Sequence, residues 1–213
     1  MTPALATDQE NFWQGTFGDA YSDRNRGADL VAANAAFFAR IIARAPGIQS
    51  ILELGANIGL NLQALRQILP AVQLSAVELN ARAATELSRT LPDVALTVGS
   101  FLHHTSACPA DLVFTKGVLI HVNPERLLNV YDLMHRISRR YILVAEYYNP
   151  TPVEVSYRGH TARLFKRDFA GEMLTRFPDL CIVDYGFVYH RDPVFPQDDL
   201  TWFLLEKNHD TRQ

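Results

Sequence analysis

SILELGANIG, residues 50–59, passes from a short apolar run through a glycine-containing bend into an amphipathic segment. Residues 50–54 predict a buried strand, and residues 58–69 predict a helix that stops at Pro70. Small residues in the bend let the backbone approach a ligand and let the helix pack on a sheet. Free amide groups at the helix start favour a carboxylate or phosphate nearby.

The alternation of strand and helix continues on both sides of this stretch. An amphipathic helix is predicted from Gly27 to about Pro46. Further strands are predicted at 73–79, 94–98, 112–114 and 141–145, and further helices at 81–91 and 124–138. Strands that are apolar throughout and alternate with helices favour a parallel sheet covered on both faces.

The last third of the chain does not continue this alternation of strands and helices. A helix is predicted at 169–177, followed by late strands at 180–189 and 200–206 with a turn at 191–199. Two strands joined in this way most simply form an antiparallel hairpin. The predicted fold is therefore a doubly wound α/β domain. Its mostly parallel seven-stranded sheet carries the late hairpin at one side and a helical extension at the N-terminus.

Length, composition and charge indicate how many domains to expect and which classes of protein are disfavoured. The chain has 213 residues, of which 48% are hydrophobic and 20% charged, with a net charge of -3. We expect one domain (1–213), with an N-terminal helical cap (1–46) and a substrate-side insertion (147–168). The acidic balance disfavours a nucleic-acid partner. No stretch predicts a membrane span, the cysteines form no CxxC pair, and no metal site is expected. A cytoplasmic protein is expected, since the N-terminus lacks a signal-peptide pattern.

Two acids stand at the ends of successive predicted strands. Glu53 precedes the bend and suits a hydrogen bond to an ammonium group, and Glu78 can accept both hydroxyls of a ribose. Alternatively, the bend is a plain tight turn, and Glu78 is an acid stabilised by a helix dipole. Both acids fall at carboxyl ends of neighbouring parallel strands, which favours a nucleoside site.

Three segments carry a family resemblance. ELGANIG (53–59), VELN (77–80) and DLVFTKGVLIHV (111–122) resemble the class I S-adenosylmethionine-dependent methyltransferases. TKGVLIHVNPE (115–125), AEYYNPTPVEVSYRGH (145–160) and LFKRDFAGEML (164–174) extend the likeness to the pseudaminic acid biosynthesis-associated methylase family. The resemblance implies S-adenosylmethionine as cofactor and S-adenosylhomocysteine as product. It implies methyl transfer to an oxygen or nitrogen of a small anionic, sugar-derived acceptor, by a monomer or homodimer.

The resemblance also implies a set of cofactor-binding residues. They are Tyr21, Arg24, Asn25, Glu53, Gly55, Ala56, Asn57, Gly59, Glu78, Leu79, Ser100, Phe101, Lys116, Gly117 and Val118. Asn57 replaces a glycine, and asparagine tolerates positive φ. Ser100 stands where the family commonly has an aspartate that reads the adenine amino group, so Ser100 or a backbone carbonyl would have to do so. The aromatic N-terminus either covers the sheet or forms a lid, in which Arg24 pairs with the cofactor carboxylate.

His121 is the candidate catalytic base. Methyl transfer requires an oxygen or nitrogen held in line and relieved of its proton, and neutral histidine suits this at neutral pH. The alternative is a capping or core-edge histidine. Substrate-binding residues are expected after the fifth strand and on the late turn: Tyr147, Tyr148, Arg158, His160, Tyr189 and His190. Arg158 would grip a carboxylate, whereas the later cations near 163–167 are favoured as solvated charges.

Other functions remain open at this point. The same cationic residues after the fifth strand would also suit a methyltransferase that acts on a phosphonate or another carboxylate. A non-catalytic nucleotide-binding module would share the fold. A nicotinamide enzyme is disfavoured because the bend lacks GxGxxG spacing.

Overall fold

The structure, a computed structural model, describes residues 7–105 and 108–208. The helices are α1 (Asp8–Gln14), α2 (Thr16–Arg24), α3 (Ala28–Ile42), α4 (Leu60–Ile68), α5 (Ala81–Thr90), α6 (Leu127–Ile137) and α7 (Phe169–Arg176). The strands are β1 (Ser50–Leu54), β2 (Gln73–Glu78), β3 (Ala95–Val98), β4 (Ala110–Lys116), β5 (Ser138–Glu146), β6 (Val153–Tyr157), β7 (His160–Lys166), β8 (Leu180–Phe187) and β9 (Thr201–Lys207).

Seven strands form the main sheet in the order β3-β2-β1-β4-β5-β9-β8. The strands from β3 to β5 are parallel, and β9 joins β5 and β8 in antiparallel pairing. The chain runs outward from β1 to β2 and β3 and then returns to β4. The carboxyl ends of β1 and β4 therefore form a topological switch point, which is the usual ligand position in such sheets. The predicted doubly wound sheet and its late hairpin are confirmed.

Both faces of the sheet are covered, which explains why its central strands are apolar throughout. On one face α3, α4 and α5 pack against the sheet through a cluster that includes Phe38, Ile41, Leu62, Leu65 and Leu87. On the other face α6 and α7 contribute a second cluster, which includes Val130, Tyr131, Met134, Phe169 and Met173. No helix in the described ranges is long and apolar enough to cross a bilayer.

Two helices differ most from their predicted bounds. The helix predicted from Gly27 to about Pro46 ends at Ile42 and is followed by turns. The helix predicted at 124–138 divides into a 3₁₀ turn at Pro124–Arg126 and α6, which ends at Ile137. The Asn123 side chain accepts from the Glu125 amide at 2.9 Å and begins the tighter turn.

The segment 147–168 contains a β-hairpin that its sequence did not predict. Strands β6 and β7 pair with each other in a sheet of their own. Arg158 (φ 49°) and Gly159 (φ 83°) form the two-residue connection. Positive φ at both positions is typical of a type I′ turn, whose twist matches that of paired strands. The hairpin therefore projects from the end of β5 and brings Tyr157 and Arg158 to its tip.

Candidate functional site

A cavity of about 590 Å³ lies at the carboxyl ends of β1, β2 and β4. Its volume is within the range of small-molecule sites. The main sheet supplies the floor through the bends that follow its strands. The N-terminal helices α1 and α2 and the tip of the β6–β7 hairpin supply further walls. The cavity thus occupies the topological switch point of the sheet.

The bend after β1 has the backbone conformation that its small residues permit. Gly55 (φ 77°) and Asn57 (φ 49°) both lie in the left-handed region. The Asn57 amide donates to Glu78 Oε2 at 2.6 Å, and its side-chain oxygen accepts from the Ser22 hydroxyl at 2.7 Å. A Cβ atom on Gly55 would lie 2.8 Å from the Val118 side chain. The bends after β1 and β4 therefore approach each other closely, and a glycine is needed between them.

Glu53 and Glu78 end neighbouring strands but face different surroundings. Glu78 lines the cavity and accepts from the amides of Asn57 and Asn80, each at 2.6 Å. Burial raises the pKa of Glu78, and these two amides oppose the rise. Glu53 is 1% exposed, lies outside the cavity wall and accepts from Asn61 Nδ2 at 2.6 Å. Burial raises the pKa of Glu53 to about 8. The other carboxylate oxygen of Glu53, Oε2, has no hydrogen-bond partner among the described residues, so its contact with an ammonium group stays a prediction.

His121 lines the cavity in a 3₁₀ turn that follows β4. Its Nδ1 lies 2.6 Å from the carbonyl oxygen of Arg163, and its ring packs against Trp13 and Tyr157 with centroids 4.5 and 4.9 Å away. A carbonyl oxygen only accepts, so Nδ1 carries the proton and Nε2 keeps its lone pair. Burial lowers the pKa of His121 to about 4. The histidine is consequently neutral at physiological pH, in one defined tautomer.

Glu146, at the end of β5, holds the turn that carries His121. It is 2% exposed and accepts from the amides of Val118, Leu119 and Ile120 at 3.1, 3.0 and 3.4 Å. Burial raises the pKa of Glu146 to about 7, and the amides of Leu119 and Val118 oppose the rise. Glu146 lies outside the cavity wall. Glu146 therefore anchors the turn and is not part of the cavity wall.

The cavity wall also combines cations with a carboxylate. Lys116 and Arg158 line it, and neither forms an ion pair with a carboxylate of the described residues. Burial lowers the pKa of Lys116, and Glu53 and Asp198 oppose the fall. Asp198 also lines the cavity and accepts from the Tyr147 hydroxyl at 3.0 Å. These cations can therefore bind an anionic group, and Asp198 can orient a neighbouring donor.

Most predicted site residues meet in the cavity wall. These are Tyr21, Asn25, Gly55, Ala56, Asn57, Glu78, Leu79, Ser100, Phe101, Lys116, Gly117, Val118, His121, Tyr147, Arg158 and His190. Loss of solvent is the main cause of the raised pKa of Tyr21.

Six predicted site residues lie outside the cavity wall: Arg24, Glu53, Gly59, Tyr148, His160 and Tyr189. Arg24 is exposed, with its guanidinium 5.7 Å from the Phe17 ring. His160 lies against the side chains of Phe12 and Phe17, with ring centroids 5.0 and 5.7 Å away. Tyr148 and Tyr189 are 42% and 45% exposed. Gly59 (φ 82°) directly precedes α4 as its N-cap, where a Cβ atom would lie 3.0 Å from Leu87. Whether a side chain reaches the cavity depends on how distant elements pack together. The position of a residue near a strand end does not determine this.

Several wall residues were not among the predicted site residues, including Glu10, Trp13, Tyr157, Gln197 and Asp198. The pattern Thr7-x-x-Glu10 is a capping box, and it could have located the start of α1. In the structure the Thr7 hydroxyl oxygen accepts from the Glu10 amide at 3.2 Å. The pattern carries no information about which strand end α1 would cover.

Several solved structures that share this fold are methyltransferases. No protein-family model and no curated protein matches the sequence. Magnesium protoporphyrin IX methyltransferase from Synechocystis, with bound S-adenosylhomocysteine, superposes with a TM-score of 0.67 at 12% identity, covering 93% of this chain and 97% of its own. An amino pentose methyltransferase from Micromonospora echinaspora, with bound S-adenosylmethionine, gives 0.61 at 14%, covering 91% and 97%. The N-methyltransferase NodS from Bradyrhizobium japonicum gives 0.62 at 13%, covering 83% and 97%. The chain has the Rossmann-like fold of these S-adenosylmethionine-dependent methyltransferases.

Proposed function

We propose that the protein is an S-adenosylmethionine-dependent methyltransferase that acts on an oxygen or nitrogen of a small anionic acceptor. The observation that carries the proposal is the switch-point cavity, in which the bend after β1, Glu78 and a neutral His121 meet. Structural neighbours of the same fold bind this cofactor, and they include an amino pentose methyltransferase. An acceptor of the pseudaminic acid type is the first to test, because of the sequence resemblance.

The residues of the cavity fit the proposed cofactor. Glu78 has oxygens at the strand tip that can accept from ribose hydroxyls. Gly55, with its left-handed backbone, allows close approach to the main chain. Lys116 is a cation in the wall and can pair with the methionine carboxylate, the role first expected of Arg24. When bound, S-adenosylmethionine supplies a methyl group already activated by its sulfonium sulfur.

The chain's own contribution is to position the acceptor and take its proton. His121 is held by Arg163 with Nε2 unprotonated, so Nε2 can accept a proton from an acceptor hydroxyl or amine. Arg158 can hold an acceptor carboxylate, since its guanidinium forms no ion pair with the described carboxylates. Trp13 and Tyr157 flank the His121 ring and limit the access of water.

Calorimetric titration tests the cofactor. We expect heat on addition of S-adenosylhomocysteine and none with NAD. Binding of NAD alone would instead favour a nicotinamide enzyme. Binding of S-adenosylhomocysteine without methylation of any acidic sugar, phosphonate or carboxylate would favour a binding module.

The acceptor class is tested with a charge reversal. Arg158→Glu should raise the KM for an acidic acceptor about tenfold or more while changing the cofactor KM less than about threefold. Arg89→Glu, at an exposed position outside the cavity, is the matched control. Equal effects on both KM values would contradict an anionic acceptor.

A further inference from the structure

The end of β3 is the part of the cavity where a nucleobase would lie. Strand β3 pairs with β2 on the side away from β1. The Gly99 amide donates to the Glu78 carbonyl oxygen at 2.8 Å, so the bend after β3 adjoins the strand end that carries Glu78. If Glu78 holds the ribose, as the proposed function requires, a base extending away from the switch point reaches Ser100 and Phe101. Both residues line the cavity.

An acid from the N-terminus lies at this position. The Ser100 hydroxyl donates to Glu10 Oε1, although the two residues are separated by 90 positions in the chain. The Thr7 hydroxyl donates to Glu10 Oε2 at 3.0 Å. Helix α1 is anchored independently, because Gln9 Nε2 donates to the Ala162 carbonyl oxygen at 3.1 Å. The Glu10 carboxylate is thus oriented from two sides.

Glu10 retains capacity to bind a donor. A carboxylate offers about four acceptor positions, and the side-chain hydrogen bonds to Glu10 occupy two of them. No cation of the described residues forms an ion pair with Glu10. Glu10, Ser100 and Phe101 all line the cavity. An acceptor without a cationic partner in the wall of a cavity is suited to a neutral N–H donor on a ligand.

We propose that Glu10, oriented by Ser100, accepts a hydrogen bond from the exocyclic amino group of adenine and so selects adenosyl over inosyl ligands. This inference rests on the proposed function. At position 6 adenine carries an amino donor, whereas hypoxanthine carries a carbonyl oxygen and has its N–H at N1. An ionised carboxylate only accepts, so it favours the first and repels the second. Base recognition then comes from the N-terminal helix and not from the bend after β3.

The test compares the dissociation constants of S-adenosylhomocysteine and its deaminated analogue S-inosylhomocysteine by calorimetry. We expect the wild type to prefer the adenosyl ligand by about tenfold or more. Glu10→Gln should reduce this preference by about tenfold, because the glutamine amide can donate to the hypoxanthine oxygen. Asp8→Asn, an exposed change on the same helix, should leave the ratio unchanged.

A second variant separates recognition from folding. Ser100→Ala keeps the carboxylate and removes one of its two orienting hydroxyls, so the preference should fall by about threefold. The ligand-free melting temperatures of the variants show whether each one is folded. An unchanged ratio in folded Glu10→Gln would overturn the inference while leaving the proposed function intact. Failure of the wild type to bind S-adenosylhomocysteine would instead refute the proposed function, and the inference with it.

Discussion

At the scale of single residues, the protonation state of His121 is set by its surroundings. The Arg163 carbonyl holds Nδ1–H at 2.6 Å, and burial lowers the pKa to about 4. The unprotonated Nε2 is therefore available across the physiological pH range. A histidine that only capped a turn would not need its ring against Trp13 in a cavity wall.

His121→Asn should separate catalysis from binding. The asparagine amide can still donate to the Arg163 carbonyl, but it cannot take a proton. We expect kcat to fall about 100-fold or more, while the dissociation constant of S-adenosylhomocysteine changes less than about threefold. His103→Asn, at an exposed position outside the cavity, is the control. Turnover within twofold of the wild type would remove His121 from the mechanism.

The raised pKa of Glu53 predicts a pH dependence of stability that does not depend on the protein's function. Burial raises its folded-state pKa from 4.5 to about 8, so the folded protein binds this proton more tightly than the unfolded chain does. The stability from this group is present below about pH 4.5 and is lost as pH rises through about 8.

Glu53→Gln removes that pH dependence and can retain the hydrogen bond from Asn61. Its melting temperature should therefore rise relative to the wild type by about 3 °C or more between pH 5 and pH 9. Glu125→Gln, at an exposed position, should show a constant difference from the wild type over the same range. A constant difference for Glu53→Gln would mean that the carboxylate is already ionised at low pH.

At the scale of elements, the 3₁₀ turn Leu119–His121 depends on β5, the strand that follows α6. Glu146 of β5 accepts from the amides of Val118, Leu119 and Ile120. Ionised Glu146 is the better acceptor, and burial raises its pKa from 4.5 to about 7. Protonation below that pH weakens the attachment of the turn that positions His121.

We therefore expect kcat to decline below about pH 7, although His121 itself, with its pKa near 4, stays neutral there. The decline is not unfolding, because a raised acid pKa gives stability that is present below about pH 4.5 and lost as pH rises through about 7. Glu146→Gln should lower kcat about tenfold and abolish this acid limb, as a pH-rate profile will show. Glu125→Gln should keep the wild-type profile. A wild-type acid limb centred near pH 4 would instead assign the profile to His121 and refute the role of Glu146.

At the scale of the whole molecule, the core and the cavity draw on different parts of the chain. The two hydrophobic clusters on the sheet faces contain no described residue before Val31. Helices α1 and α2 are joined to the rest by polar contacts, among them Ser22 to Asn57 and Asn80 to Asp19 at 2.7 and 2.9 Å, and by aromatic contacts such as Trp13 against His121. They nevertheless supply part of the cavity wall, including Glu10, Trp13 and Tyr21.

Removal of residues 1–26 should consequently leave a folded sheet without a competent site. We expect a cooperative melt and an unchanged far-ultraviolet dichroism per residue apart from the lost helices. The affinity for S-adenosylhomocysteine should fall about tenfold or more. Unchanged affinity would show that α1 and α2 only cover the sheet, the alternative left open by the aromatic N-terminal sequence.

The order of strands and helices, the switch point and most of the residues of the cavity wall could be predicted from the sequence. Apolar periodicity and strand-end acids depend on neighbours in the chain, so Glu78 and His121 could be placed in advance. The burial of Glu53 and Glu146 and the contact between Glu10 and Ser100 could not be predicted in this way. The reason is that such a contact depends on how distant elements pack, and Glu10 reaches its partner across 90 positions of chain. The periodicity of a segment does not specify which strand end its side chains will reach.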